Sequence, residues 1–166
     1  AAYGAAGAFR RLSLMEAATG EGRRTLTLDP AAAAAIARAA EAAYPNEACG
    51  LLIGHAEARG WRVTDAVAGA NVHPEPHHRF EVDPRLVFEW MRKLRGGPSS
   101  LIGHFHSHPD GRAEPSATDG ASAYDRNAIW LIAAVSAGRI GAIRAFRLGR
   151  GPQGAFVEIP TVSGRT

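Results

Sequence analysis

The sequence contains a single cysteine, Cys49, in 166 residues. One cysteine excludes an intramolecular disulfide, and it fits a chain that is kept in a reducing compartment. The sequence also lacks any apolar run that approaches the roughly 18 residues needed for a membrane span. We therefore expect a soluble, cytoplasmic protein with no membrane partner.

Charge of one sign is not concentrated anywhere in the chain. The 19 Lys and Arg residues exceed the 16 acidic residues, which gives a formal net charge of +3. The basic residues are scattered apart from short groups such as 92–95, whereas nucleic-acid-binding proteins gather them on one surface. We expect no specific nucleic-acid partner, although this charge permits an acidic protein partner.

The sequence shows no internal repeat, and its length fits one compact domain with a sizeable core. Its 46% apolar and 21% charged residues are typical of globular proteins. Residues 1–21 are rich in Ala and Gly and lack a continuous apolar segment of the signal-peptide type. We predict a flexible N-terminal extension over 1–21, a single domain over 22–160 and a C-terminal tail over 161–166.

Hydrophobic periodicity predicts strands and helices that intermix in one mixed α/β layer. Two helices begin at an Asp-Pro pair, at Asp29 and Asp83, because Asp caps a helix and Pro fits its first turn. The first is predicted to end at Tyr44 and the second before Gly96, and a third covers Ser116–Asp125. The predicted strands are 25–28, 48–54, 61–68, 100–105, 129–135, 140–148 and 155–159.

Three side chains of metal-ligand type lie within fourteen residues, namely His106, His108 and Asp119. Residues two apart on a strand point to the same side, so both imidazoles can face one ion. Zinc binds imidazole nitrogen and carboxylate oxygen, and catalytic zinc sites use three protein ligands and leave one position open. The pattern predicts a hydrolytic site with one zinc ion per chain.

The spacing Ser116-x-x-Asp119 also has a purely structural interpretation. A Ser at the N-cap with an acidic residue three positions later is a variant of the capping box that begins many helices. The two interpretations are compatible, because a capping box would hold Asp119 in a fixed direction.

The pattern His106-x-His108-Pro109, followed by Ser116-x-x-Asp119, resembles the motif of the JAMM (MPN-plus, JAB-domain) zinc metalloproteases in their bacterial, deubiquitinase-like form. Upstream, Tyr44–Gly54 resembles the segment that carries the catalytic glutamate of this family. The resemblance covers roughly residues 25–148. Its two parts lie about sixty residues apart, which argues against a coincidence in both.

The resemblance implies a fold, a cofactor and a role for each residue. The fold is a single mixed-sheet domain flanked by helices, of the cytidine-deaminase-like JAMM/MPN architecture, with zinc at one edge of the sheet. His106, His108 and Asp119 would bind the zinc ion. Glu47 would be the general base for a zinc-activated water, and Ser116 would donate a hydrogen bond to the oxyanion. Both roles agree with the chemistry of hydrolytic metal sites.

The resemblance further implies cleavage of a peptide or isopeptide bond after the C-terminal Gly-Gly of a ubiquitin-like modifier or a sulfur-carrier protein. Only nine residues separate Asp119 from Ile129, so the long insertion of larger deubiquitinases is missing and linkage selectivity is not expected. The predicted loop Asn71–Phe80 is the expected wall of the tail site. The sequence leaves the oligomeric state open, and a homodimer is allowed.

Several alternatives stay open at this point. Cys49 follows Glu47 closely and could be a thiol nucleophile, although a small buried residue is the preferred interpretation. His73, His77 and His78 could form a second metal site, although isolated histidines are more often surface groups. The whole chain could instead be a JAB-like domain in nucleic-acid processing or a noncatalytic protein-binding scaffold.

Overall fold

A computed structural model describes residues 24–123, 125–149 and 155–165 of the chain. The elements in chain order are β1 (Thr25–Leu28), α1 (Pro30–Ala43), β2 (Cys49–Glu57), β3 (Gly60–Gly69), α2 (Pro84–Lys93), β4 (Ser100–His108), α3 (Ala117–Ser122), β5 (Ile129–Ser136), β6 (Arg139–Leu148), β7 (Phe156–Ile159) and β8 (Thr161–Ser163). The mixed α/β class predicted from the sequence is confirmed. The flexible extension predicted for residues 1–21 lies outside the described residues.

All eight described strands join one sheet in the order β7-β6-β5-β4-β2-β3-β1-β8. β4 pairs in parallel with β5 and antiparallel with β2. β1 pairs in parallel with both β3 and β8. β4 is therefore an inner strand, with three strands on one side and four on the other.

Alternate residues of the inner strands supply two separate apolar clusters, one on each face of the sheet. On β5, Leu131 belongs to the cluster that packs against α1, whereas Trp130 and Ile132 belong to the cluster that packs against α2. The strand is buried on both faces, which explains its almost continuous apolar sequence. Helices thus cover both faces of the sheet and leave the strand ends accessible.

The two Asp-Pro helix starts use their aspartates differently. At α2 the Asp83 carboxylate accepts the N–H of Arg85, as the capping pattern predicts. Asp29 occupies the N-cap of α1 with Pro30 in the first turn, but its side chain makes no capping hydrogen bond. It instead pairs with the guanidinium of Arg62 on β3 at 2.8 Å. A long-range ion pair has replaced the local bond.

Several boundaries differ from the sequence prediction. α3 ends at Ser122, three residues before the predicted end at Asp125. Residues 161–166 are predicted as a tail, but Thr161–Ser163 form β8, because the backbone of β1 has an unpaired edge there. Strand β4 continues past the predicted end at Phe105, to His108.

No helix in the described ranges is long and apolar enough to cross a membrane.

Candidate active site

Strand β4 brings two of the predicted ligands together. His106 and His108 alternate with Phe105 and Ser107, so both imidazoles lie on the face of the sheet that α2 covers. Their Nε2 atoms lie 3.0 Å apart, and the two residues are 0% and 6% exposed. The expectation of a site at one edge of the sheet is wrong in its position, because β4 is an inner strand. The site lies at the carboxyl end of that strand.

Helix α3 supplies the third predicted ligand. The Asp119 N–H donates to Ser116 Oγ at 3.1 Å, and Asp119 Oδ2 accepts the Ser116 N–H at 2.7 Å, which completes a capping box. The capped carboxylate is buried and lies 3.2 Å (Oδ1) and 3.3 Å (Oδ2) from the two imidazole Nε2 atoms of His106 and His108. The structural and the ligand interpretations of Ser116-x-x-Asp119 are therefore both compatible with one geometry.

These three residues form the only group of three His, Cys, Asp or Glu residues within the described ranges that could hold a metal ion. Tetrahedral zinc with ligands at about 2.0–2.1 Å keeps neighbouring ligand atoms roughly 3.3 Å apart. The two Nε2 atoms lie 3.0 Å apart, and each lies 3.2–3.3 Å from a different oxygen of Asp119. One ligand atom from each residue lies within 4.8 Å of the others, so this donor set is compact enough to hold one zinc ion.

The protons of the cluster are shared between the imidazoles and Asp119. Burial lowers the pKa of His106, whereas at His108 burial is outweighed by Asp119, which raises the pKa of that ring. Burial raises the pKa of Asp119, but hydrogen bonds from His106 and His108 outweigh it and hold that pKa well below its usual range. With its proton on Nδ1, His108 donates to the carbonyl oxygen of Arg112 at 3.1 Å, and Nε2 is then the ring atom that would bind a metal. Because metal ligands must be deprotonated, a bound ion would replace the protons that the Nε2 atoms share with Asp119.

Glu47 occupies the junction between α1 and β2 and is 6% exposed. Its carboxyl belongs to a cleft of about 580 Å³ that also exposes His108 and Ser116; the further lining residues are Tyr44, Pro45, His77, His78, Pro109, Asp110 and Thr118. Burial, opposed by the charge of His108, raises the pKa of Glu47 from 4.5 to about 7. A carboxyl with that pKa can both accept and return a proton near neutral pH.

Ser116 lines the same cleft, but its hydroxyl is engaged. Ser116 Oγ donates to Asp119 Oδ2 at 2.8 Å and accepts the Asp119 N–H. Its single proton would have to turn from the carboxylate toward the cleft to reach a substrate oxygen, and a hydroxyl rotor allows that movement. The structure therefore brings all five predicted site residues to one end of β4.

Two aromatic neighbours of the cluster are missing from the sequence prediction. Phe80 stacks on the His106 ring, with ring centroids 4.3 Å apart and an interplanar angle of 15°. His104 precedes His106 by two residues and lies on the same face, where its ring packs against that of Trp130 with centroids 4.2 Å apart and an interplanar angle of 70°. Burial lowers the pKa of His104 to about 3, so this ring is neutral. The alternation His104-x-His106-x-His108 was the signal that could have placed His104 here.

Ser107 is also missing from the prediction, and it joins β4 to the Glu47 segment. Its Oγ accepts the Ala48 N–H at 2.8 Å, and its own N–H donates to the Ala48 carbonyl at 3.0 Å. The residue that follows the candidate base is therefore tied to the strand that carries the candidate ligands. No sequence periodicity signals this contact across 59 positions.

The alternative nucleophile and the alternative metal site have little support. Cys49 is 1% exposed, and burial together with the charge of Glu47 raises its pKa to about 12, so its thiol is protonated at neutral pH. His73 accepts the Glu75 N–H through Nδ1, while His77 and His78 line the cleft without belonging to a metal-binding group.

The sequence family described as "Prokaryotic homologs of the JAB domain" matches residues 29–149. This range covers most of the chain and includes β2, β4 and α3 with all five site residues. The chain belongs to this family. Its cluster of His106, His108 and Asp119, which could hold a metal, and its mixed sheet agree with the JAB/JAMM resemblance of the sequence.

Two curated relatives and two solved structures are similar to the chain. It is 35% identical over 88 residues to a protein from Haloferax volcanii named "Desampylase", which covers 53% of this chain and 62% of that protein. The chain thus spans less than two thirds of that relative's length. It is 34% identical over 115 residues to a Thermus thermophilus protein named "Probable TtuB-protein conjugate cleaving protease", covering 69% of this chain and 70% of that protein.

The two solved structures are solution structures of proteins from Desulfitobacterium hafniense and Salinibacter ruber. Each is 27% identical to the chain. The first has a TM-score of 0.74 and covers 86% of this chain and 94% of the other. The second has a TM-score of 0.62 and covers 83% and 91% respectively. The fold is therefore shared along nearly the whole length of both structures.

The raised pKa of Glu47 predicts a cost to stability that depends on pH. Between pH 4.5 and 7 the unfolded chain releases the Glu47 proton while the folded chain retains it, so folding becomes less favourable as pH rises. We expect Glu47→Gln to raise the free energy of unfolding of the metal-free protein by roughly 1–3 kcal/mol at pH 8. Urea unfolding at pH 4 and pH 8 measures this. If Glu47→Gln raised the free energy of unfolding equally at both pH values, burial of the Glu47 carboxyl would not be the cause.

Proposed function

We propose that the chain is a zinc-dependent isopeptidase or peptidase that cleaves after the C-terminal Gly-Gly of a ubiquitin-like modifier or sulfur-carrier protein. The observation that carries this proposal is the cleft that brings Glu47 and Ser116 together with His108, one of the three residues of the candidate metal cluster. The relative named as a conjugate-cleaving protease supports the reaction class.

Zinc held by His106, His108 and Asp119 would lower the pKa of a water toward about 7 and polarise the scissile carbonyl. Glu47 accepts the proton of the attacking water and returns it to the leaving amine, as its pKa of about 7 allows. The carbonyl carbon gains a bond to the water oxygen and loses its bond to nitrogen. The Ser116 hydroxyl donates to the oxygen on which negative charge develops. No acyl-enzyme forms, since no thiol or hydroxyl attacks the substrate.

The tail would lie along the loop Asn71–Phe80, which contributes His77 and His78 to the lining of the cleft. Glycine at the scissile position suits a narrow path, because a Cβ would displace wall atoms or shift the carbonyl away from the attacking water. The two alternative functions are not favoured. Neither relative is named for nucleic-acid processing, and the complete set of site residues argues against a noncatalytic scaffold.

The purified protein is expected to hold one zinc ion per chain, because the described residues supply one complete three-ligand group. Elemental analysis after dialysis gives the stoichiometry. The double variant His106→Ala, His108→Ala should lose the ion, whereas His55→Ala on the exposed end of β2 should keep it. Two retained equivalents, or zinc retained by the double variant, would show that the ligands are assigned wrongly.

Glu47→Gln should keep zinc and fold but lower kcat by about 10²–10⁴-fold, because an amide cannot take the proton from water. Ser116→Ala should lose less, about 100-fold, since it removes one donor to the oxyanion. Cys49→Ala should stay within about twofold, as the thiol is buried and protonated. Steady-state kinetics on a Gly-Gly fusion measure all three. Loss of turnover in Cys49→Ala with zinc and fold retained would instead support Cys49 as the nucleophile.

A ubiquitin-like protein extended beyond its terminal Gly-Gly should be cut after the second glycine. Changing either glycine to a bulky residue should slow cutting on the order of 100-fold, since displacement of the scissile carbonyl by about 1 Å has that effect. Mass spectrometry of the products from a panel of such fusions locates the bond. Equal cleavage of the bulky variants, or comparable degradation of unfolded casein, would refute the substrate while leaving a zinc hydrolase in place.

A further inference from the structure

The side-chain amide of Asn71 uses all of its hydrogen-bonding positions. Nδ2 donates to the carbonyl oxygens of Glu47 at 3.0 Å and Arg79 at 2.9 Å. Oδ1 accepts the N–H groups of His73 and Glu81, both at 3.1 Å. An amide offers two donors and two acceptor positions, so this side chain is saturated. It lies two residues after the end of β3 and is half-buried.

These bonds connect Glu47 to residues 71–81, which we call the Asn71 loop. The loop is closed at its base by the Val72 N–H, which donates to the Glu81 carbonyl at 2.9 Å. It also accepts the Glu47 N–H at 2.7 Å through the carbonyl of Pro76. Both backbone polar groups of Glu47 are thus held by one loop, the N–H by Pro76 and the carbonyl by Asn71.

The other side of the Glu47 segment is held by β4. The Ala48 N–H and carbonyl are both bonded to Ser107, whose neighbours in sequence are the ligands His106 and His108. The peptide unit between Glu47 and Ala48 therefore has fixed partners at its oxygen, Asn71, and at its nitrogen, Ser107. Because both polar atoms of this peptide unit have fixed partners, the adjoining side chain of Glu47 keeps its position relative to β4.

We propose that Asn71 is a positioning residue for the reaction, because its amide fixes the Glu47 backbone between the Asn71 loop and β4 and so keeps the carboxylate in the cleft that Glu47 shares with His108. This inference rests on the proposed role of Glu47 as general base. Asn71 itself does not touch the reacting atoms and acts through Glu47.

The chemistry of the site requires an amide. Asn71→Asp preserves the shape and the acceptor for His73 and Glu81, but it places a carboxylate oxygen against the carbonyl oxygens of Glu47 and Arg79. Asn71→Ala removes all four bonds and leaves those backbone groups without their side-chain partner. A displacement of the base by about 1 Å costs on the order of 100-fold in rate, so small movements of Glu47 are sufficient.

The test compares the zinc-loaded wild-type protein with Asn71→Ala and Asn71→Asp on a Gly-Gly fusion substrate. Both variants should lower kcat by about 10–100-fold, with KM within about twofold and one zinc ion per chain, because the ligands are unchanged and the Val72–Glu81 hydrogen bond still closes the Asn71 loop. In a Glu47→Asp background, where the carboxylate is already withdrawn, Asn71→Ala should cost less than about threefold. Residues that act through one another give such non-additive effects.

The matched control is Asp83→Ala, which removes the capping bond to Arg85 after the same loop but touches no site residue. It should destabilise the fold while kcat stays within about twofold. Unchanged kcat in both Asn71 variants, additive losses in the Glu47→Asp background, or a rise in KM alone would overturn the proposal. The last result would make Asn71 part of the substrate wall.

Amide hydrogen exchange tests the same inference without turnover. In Asn71→Ala the Glu47 N–H should exchange at least tenfold faster, while the amides of the β2–β4 ladder keep their protection. Equal protection of Glu47 in the variant and the wild type would refute the inference. If the wild type cleaves no Gly-Gly substrate, the proposed function fails, and the exchange rate of Glu47 still decides whether Asn71 fixes this segment.

Discussion

The site depends on how the Asp119 carboxylate is held. One of its oxygens accepts both the N–H and the hydroxyl of Ser116, and both oxygens lie within 3.3 Å of an imidazole Nε2. Burial makes the ionised form of a carboxylate unfavourable unless hydrogen bonds compensate for the lost hydration. The capping box and the imidazoles supply those hydrogen bonds and keep Asp119 ionised. This carboxylate also links α3 to β4, because it contacts the imidazoles of His106 and His108.

Two carboxyl groups of one cleft have opposite electrostatic environments. Asp119 receives hydrogen bonds that hold its pKa well below the usual range, whereas burial with little compensation raises the pKa of Glu47 to about 7. A permanent anion suits a metal ligand, and a carboxyl that titrates near neutral pH suits a proton carrier. The different roles that we propose for the two residues therefore follow from burial and hydrogen-bond partners, since both carry the same chemical group.

The sheet provides the rigidity that such a site needs. β4 is an inner strand with partners on both sides, so the imidazoles of His106 and His108 project from the most strongly supported part of the fold. Glu47 has no comparable support, because it lies at a junction between a helix and a strand. Its position depends on hydrogen bonds from Ser107 through Ala48 and from the Asn71 loop. Rigid ligands and a base held by a loop are thus built from different parts of the chain.

The sequence by itself determined the local features of this protein. The two-residue spacing of His106 and His108 sets their common face on a strand, and the three-residue spacing of Ser116 and Asp119 sets the capping box, because both follow from backbone periodicity within one element. The same locality explains why Asp83 caps α2 as predicted. Glu47 was placed only through a family resemblance, since no local rule connects it with residues about sixty positions away.

Only the tertiary structure decided the contacts between distant segments. Asp29 pairs with Arg62 instead of capping α1, because β3 presents a guanidinium beside the helix start. Thr161–Ser163 form a strand because β1 offers a free edge. Ser107 and Asn71 hold the segment of Glu47, although neither belongs to a pattern that a sequence reveals. Such bonds depend on which backbone groups remain unpaired after the sheet has formed, and the order of the strands settles that.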